Sequence, residues 1–99
     1  MERPQTGEYY YHFKHTPDSV ENYAYKVIGT GIHSETEEIF VIYKALYKGG
    51  WTEEKEVNFT IRPLSNFTET IDRDGKIFKR FTRITDVEVI KKLQEIESM

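Results

Sequence analysis

From Glu8 onward, apolar and polar positions alternate along most of the chain. Tyr9, Tyr11 and Phe13 alternate with Tyr10, His12 and Lys14, the two-residue period of a strand with one face inward. Thr16-Pro17-Asp18-Ser19 then places Pro at the second position of a turn. Over residues 23–32, Tyr23, Tyr25 and Val27 share one face of a second strand, and Ala24, Lys26 and Ile28 share the other. Gly29 and Gly31 interrupt that strand and predict a bulge or a sharp bend, the kind of corner a small barrel needs. After the polar connection at 33–38, residues 39–47 (IFVIYKALY) form the most β-prone run and are assigned a central strand.

Residues 51–56 are rich in charge and read as a solvated loop. Val57, Phe59 and Ile61 alternate with Asn58, Thr60 and Arg62, giving a fourth strand. Pro63 ends it, because Pro has no N–H for the ladder. Pro also suits the first position of a helix, so 63–67 predicts one short helical turn. Residues 68–81 form a last hairpin around Asp72-Arg73-Asp74-Gly75, whose Asp-Gly pair favours the positive φ of a tight turn. The period then changes. Thr85 and Glu88 have the spacing of a capping box. Val89, Leu93 and Ile96 fall on one side of a helix over 85–97, with Lys91, Lys92, Glu95 and Glu97 largely on the other. At about three turns, that helix is too short to persist alone. The pattern therefore predicts a mainly β protein: a loose arm at 1–7, a small bent β-barrel over 8–84, and an amphipathic helix packed on the barrel or on a partner.

Composition narrows the chemistry. With seven Tyr and six Phe among 99 residues, the core should be aromatic. The chain has no Cys, which excludes disulfides, thiolate zinc ligands and thiol nucleophiles and fits a reducing compartment. No apolar stretch approaches the roughly 20 residues that cross a bilayer, so a cytoplasmic protein without membrane partners is expected. A net charge of -3 argues against a large non-specific binder of duplex DNA. The charges are nevertheless segregated. Glu35, Glu37, Glu38, Glu53, Glu54 and Glu56 lie mid-chain, whereas Arg62, Arg73, Lys76, Lys79, Arg80 and Arg83 come later, leaving room for a local basic surface.

His12 sits on the strand face opposite Tyr11 and Phe13. It reads either as an edge-strand residue or as a ligand contact that titrates near neutral pH. His33-Ser34-Glu35 contains the residue types of a nucleophile, base and acid, but adjacent residues rarely converge, and ordinary turn chemistry is the better account of them. The three His lack metal-ligand spacing, and neither a phosphate-cradling glycine loop nor a calcium loop is present. No metal or cofactor is expected. Arg62 could anchor an internal carboxylate or receive an anionic ligand through its bidentate fork. Tyr43 and Tyr47 share a face of the strong strand, either as core or as stacking platforms. Trp51 either caps the core or anchors a partner surface.

These segments resemble a bacterial family catalogued as domain of unknown function 1653. The resemblance rests on Tyr10-Tyr11-His12-Phe13-Lys14, Tyr25-Lys26-Val27-Ile28-Gly29, His33-Ser34-Glu35-Thr36 and Val41-Ile42-Tyr43-Lys44-Ala45-Leu46-Tyr47. It continues through Arg62-Pro63-Leu64-Ser65-Asn66-Phe67, Asp74-Gly75 and Arg80-Phe81. Together these span about residues 9–84. Ile61 stands where members commonly carry Trp, and the helix at 85–97 extends beyond the family core. The resemblance implies an SH3-like barrel and brings no activity with it.

The leading functional expectation is a non-catalytic binding or adaptor domain that meets a peptide, a protein or single-stranded nucleic acid through an aromatic-polar groove. Its pocket would gather His12, Lys14, His33, Ser34, Glu35, Tyr43 and Arg62 at one barrel end, with Tyr47 and Trp51 as a flanking platform. Three alternatives stand beside it. One is a small enzyme with His12 or His33 as general base, and another is a binder of an anionic, nucleotide-like ligand through Arg62 and Lys14. The third is a homo-oligomer, such as a dimer, held by the terminal helix.

Overall fold

The computed structural model describes residues 3–48 and 54–99. Trp51 and the first half of the charged 51–56 segment lie outside them. The elements are β1 (Tyr9–His12), β2 (Ala24–Ile32), β3 (Ile39–Ala45), β4 (Thr60–Pro63), α1 (Leu64–Phe67), β5 (Thr70–Arg73), β6 (Lys76–Lys79), β7 (Phe81–Arg83) and α2 (Val87–Glu97). Five strands form one antiparallel sheet in the order β4-β3-β2-β1-β7, and β5 and β6 pair as a separate hairpin. The fold is therefore mainly β, with two sheets and a C-terminal helix. The expected single closed barrel is not what this pairing describes. Pro63 ends the β4 ladder and turns the chain into α1, and the hairpin pairs with itself. β3 lies inside the sheet, but β2 holds its centre.

Both faces of this sheet are packed, which is why β1 and β3 carry aromatics on both sides. On one face Tyr25, Val27, Val41, Tyr43, Phe67 and Phe81 form a buried cluster, supported by Tyr10, Ala45, Tyr47 and Leu64. On the other, Tyr9, Ala24, Leu46, Ile84 and Leu93 form a second cluster beneath α2, with Tyr11, Val20, Val89 and Ile90 against it. The register slips between Val27 and Gly29, immediately before the glycine, so the strand bends where the sequence predicts a bulge. At the other predicted turn, Asp74 and Gly75 take φ values of 53° and 76° and close the β5–β6 hairpin.

Two elements differ from expectation. β4 begins only at Thr60, and its alternating apolar set is exposed: Val57, Phe59 and Ile61 are 53%, 46% and 60% accessible. As an edge strand beyond the reach of the α2 cluster, it turns Arg62 rather than Ile61 toward the aromatic cluster. In α2 the N-cap is Asp86, not Thr85; its Oδ1 accepts from the backbone N–H groups of Glu88 (2.9 Å) and Val89 (3.3 Å). Leu93 is fully buried. Glu97, expected on the polar side, lies four residues after Leu93 and so returns to the same face. It accepts from Tyr9 Oη at 2.8 Å and Lys26 Nζ at 2.9 Å, with Lys44 Nζ at 3.5 Å. Burial alone would raise the Glu97 pKa, but these hydrogen bonds and the two ammonium charges hold it below the ordinary carboxylate value.

Candidate functional site

The sheet register brings His12 opposite Phe81 on the aromatic face. Their rings meet edge to face at 5.1 Å, with Phe13 at 4.4 Å and Tyr23 at 5.7 Å from the imidazole. Phe81 in turn stacks on Phe67 of α1 at 4.1 Å and 5°. The Arg62 guanidinium lies 5.3 Å from the centre of the Phe81 ring, a cation–π contact.

A chain of polar contacts runs round these rings. Arg62 Nε donates to Tyr43 Oη at 3.0 Å, and Arg62 Nη1 donates to Asn66 Oδ1 at 2.6 Å. Asn66 Nδ2 reaches Glu69 Oε2 at 3.4 Å, and the same oxygen accepts from Arg80 Nη2 at 2.9 Å. The turn of α1 makes this possible, because it carries Asn66 back beside Arg62. Arg80 Nε is buried without a hydrogen-bond partner among the described residues.

His12 Nδ1 accepts from the backbone N–H of Lys14 at 3.2 Å. A neutral imidazole accepting at Nδ1 carries its proton on Nε2, which makes that atom a donor. Burial first, then the charges of Arg62, Lys14 and Arg80, push the His12 pKa down to about 4. The ring is thus uncharged near neutral pH. Around it stand three cations (Arg62, Lys14, Arg80) and one carboxylate, Glu69, which pairs with Arg80, a local excess of positive charge. The chemical capacity of this arrangement is to donate hydrogen bonds to an anionic group on an aromatic wall. A base titrating this low is poorly matched to proton abstraction near neutrality.

His12, Lys14 and Arg62 therefore share this neighbourhood, and Tyr43 supports it from the core, where it is only 2% exposed. Tyr47 is partly buried, with its hydroxyl 2.6 Å from that of Tyr25 and its ring 5.8 Å from Tyr23. His33, Ser34 and Glu35 lie at the opposite end of β2, past the Ile32–Ile39 pair, while β1 ends at His12 beside Tyr23. The structure does not bring them to the His12 cluster. His33 Nδ1 instead accepts from the N–H groups of Glu35 (3.1 Å) and Thr36 (3.2 Å), so it organises its own turn. Asn66, Glu69, Arg80 and Phe81 belong to the site and were not singled out as site residues by the sequence reading. The four-residue step from Arg62 to Asn66, across a predicted helical turn, was the available signal. Among the described residues, no group of three His, Asp or Glu is placed to hold a metal ion, and no helix is long and apolar enough to cross a membrane.

The segments that meet here are those that carry the family resemblance. A comparison with curated proteins finds no match. Among solved structures, the crystal structure of a protein belonging to DUF1653 from Bordetella bronchiseptica is similar at 25% identity, with a TM-score of 0.61. That similarity covers 84% of this chain and 87% of the other. The family model described as protein of unknown function (DUF1653) matches residues 8–83, from the start of β1 to the end of β7. Every strand of the sheet and every residue of the His12–Arg62–Arg80 cluster falls inside that match, and the chain belongs to the DUF1653 family.

Proposed function

We propose that this protein is a non-catalytic binding module that holds an acidic group of a polypeptide partner against the face formed by His12, Arg62, Arg80 and Phe81. The observation that carries the reading is the positive cluster itself. Three cations act on His12, while the one carboxylate, Glu69, pairs with Arg80. Arg80 Nε itself is sealed from solvent, so an incoming carboxylate would meet the outer edge of the Arg80 guanidinium, whose side chain keeps 23% of its surface exposed. The chain as a whole carries -3, so one acidic side chain is a better match than a run of phosphates. With Tyr43 buried and Tyr47 tied to Tyr25, neither ring offers the open platform that stacking bases need. The low pKa of His12 supports binding over general-base chemistry.

In this proposal the framework is a bent SH3-like scaffold, with the β5–β6 hairpin reaching back to the sheet through Phe78, 5.3 Å from Phe13. A Cys-free composition supports a cytoplasmic setting. The test is a titration with a fluorescein-labelled Glu-rich peptide, its Gln-rich counterpart and oligothymidylate, followed by anisotropy and by amide shifts of residues 12–14 and 80–81. The acidic peptide should bind, weaken with salt, and lose about tenfold in affinity in Arg80→Ala. Equal binding of the Gln-rich peptide, or tighter binding of oligothymidylate, would overturn the reading.

A further inference from the structure

Two residues along β1 from His12, the aromatic face opens into a separate pocket of about 280 Å³, lined by Pro4, Tyr10, Phe67, Thr68, Lys79, Phe81 and Arg83. Its walls are rings. Tyr10 meets Phe67 edge to face at 5.2 Å, and Phe67 stacks on Phe81. Its charged groups are cations. Glu8 holds Arg83 in place, with Arg83 Nε 3.1 Å from Oε2, and its other oxygen accepts from Tyr10 Oη at 3.1 Å and Gln5 N at 2.8 Å. Glu8 thereby fixes both a ring and a guanidinium at this pocket. Lys79 makes no ion pair among the described residues. The base of the pocket is firmly built, since Pro4 is buried and the chain beside it joins the sheet through Gly7 N–H to Val27 O (2.8 Å).

We propose that this pocket is a second ligand site, which takes a small planar molecule bearing a single anionic group. Its volume is at the low end of ligand sites, whose usual range begins near about 300 Å³. That leaves room for one ring and one anionic substituent, not for a dinucleotide. The ring lies among Tyr10, Phe67 and Phe81, where offset and edge contacts with a flat molecule are favoured. The anion is drawn chiefly to Lys79, because Arg83 already shares its charge with Glu8 and adds mainly hydrogen-bond donors. A carboxylate and a phosphate monoester share this chemistry, and Arg accepts either in its fork. The inference does not depend on the function proposed for the His12 cluster.

The test is a chemical-shift titration of the full chain with benzoate and with phenyl phosphate, using uncharged benzamide as control. Saturable shifts at the amides of Tyr10, Thr68, Lys79 and Arg83 are expected for at least one anion. The anion should bind about tenfold more tightly than benzamide, and Lys79→Glu should remove about tenfold of its affinity. Lys79 is exposed, so the variant keeps its fold, which its amide spectrum will show. His12→Gln, outside this pocket, should leave binding unchanged and so separate the two sites. Response to benzoate alone assigns a carboxylate, and response to phenyl phosphate alone assigns a phosphate. No saturable shift up to about 10 mM of either anion, equal binding of benzamide, or indifference to Lys79→Glu would overturn the proposal.

Discussion

His12 is a base held uncharged by its surroundings, and this has a consequence for acid stability. Its pKa falls from 6.5 to about 4 on folding, so protonation favours the unfolded chain. The stability tied to the neutral ring is complete above about pH 6.5 and is lost as pH falls through about 4. Urea denaturation at pH 7 and pH 4.5 should show a smaller loss in His12→Gln than in the parent. Glu97 acts through the opposite charge but in the same direction. Its lowered pKa makes the contribution complete above the ordinary value of 4.5, and that contribution disappears as pH falls through the folded value. Glu97→Gln should cost about 1 kcal/mol at pH 7, since the pairs it breaks are partly solvated. The Tyr9 hydroxyl, pushed up to about 12 by burial and then by Glu97, should ionise at lower pH in that variant, as read by ultraviolet titration. Glu97 was misread in the sequence because charge type outweighed position; its offset from Leu93 placed it inward. Arg62 could be marked as important from its setting before Pro63, but its partner Asn66 shows only once the short helix is formed.

At the scale of elements, local signals were legible and non-local ones were not. The Asp74-Gly75 turn, the Pro63 stop and the bulge before Gly29 all follow from backbone chemistry within a few residues. β7 was missed as a separate strand. It has three residues and follows directly on the hairpin, and only its pairing with β1, some 70 residues earlier, makes it a strand. In β4 the alternation is real, but alternation alone cannot say which side is covered. The α2 cap is a related case. Thr85 has the right spacing, yet Asp86 carries a carboxylate that both accepts the first free N–H groups and complements the helix dipole. Asp86→Ala should therefore lower stability by about 1 kcal/mol in chemical denaturation. Thr85→Ala should change it by less than about 0.5 kcal/mol, a contrast that the capping-box reading would reverse.

For the whole molecule, the central fact is a sheet with two dry faces. One is closed by α1, Phe67 and Phe81, and the other by α2 through Leu93. Aromatics at both parities of β1 and β3 hinted at this, whereas the choice between a closed barrel and two sheets depends on which distant edges pair. The same layout leaves β4 at the margin, with no strand on its outer side among the described residues and with Val57, Phe59 and Ile61 in water. Natural proteins usually blunt such margins with charge. Here the margin is greasy, so it is where concentrated solutions should begin to stick. Ile61→Lys should leave folding stability within about 0.5 kcal/mol and raise the concentration at which light scattering still reports a single species.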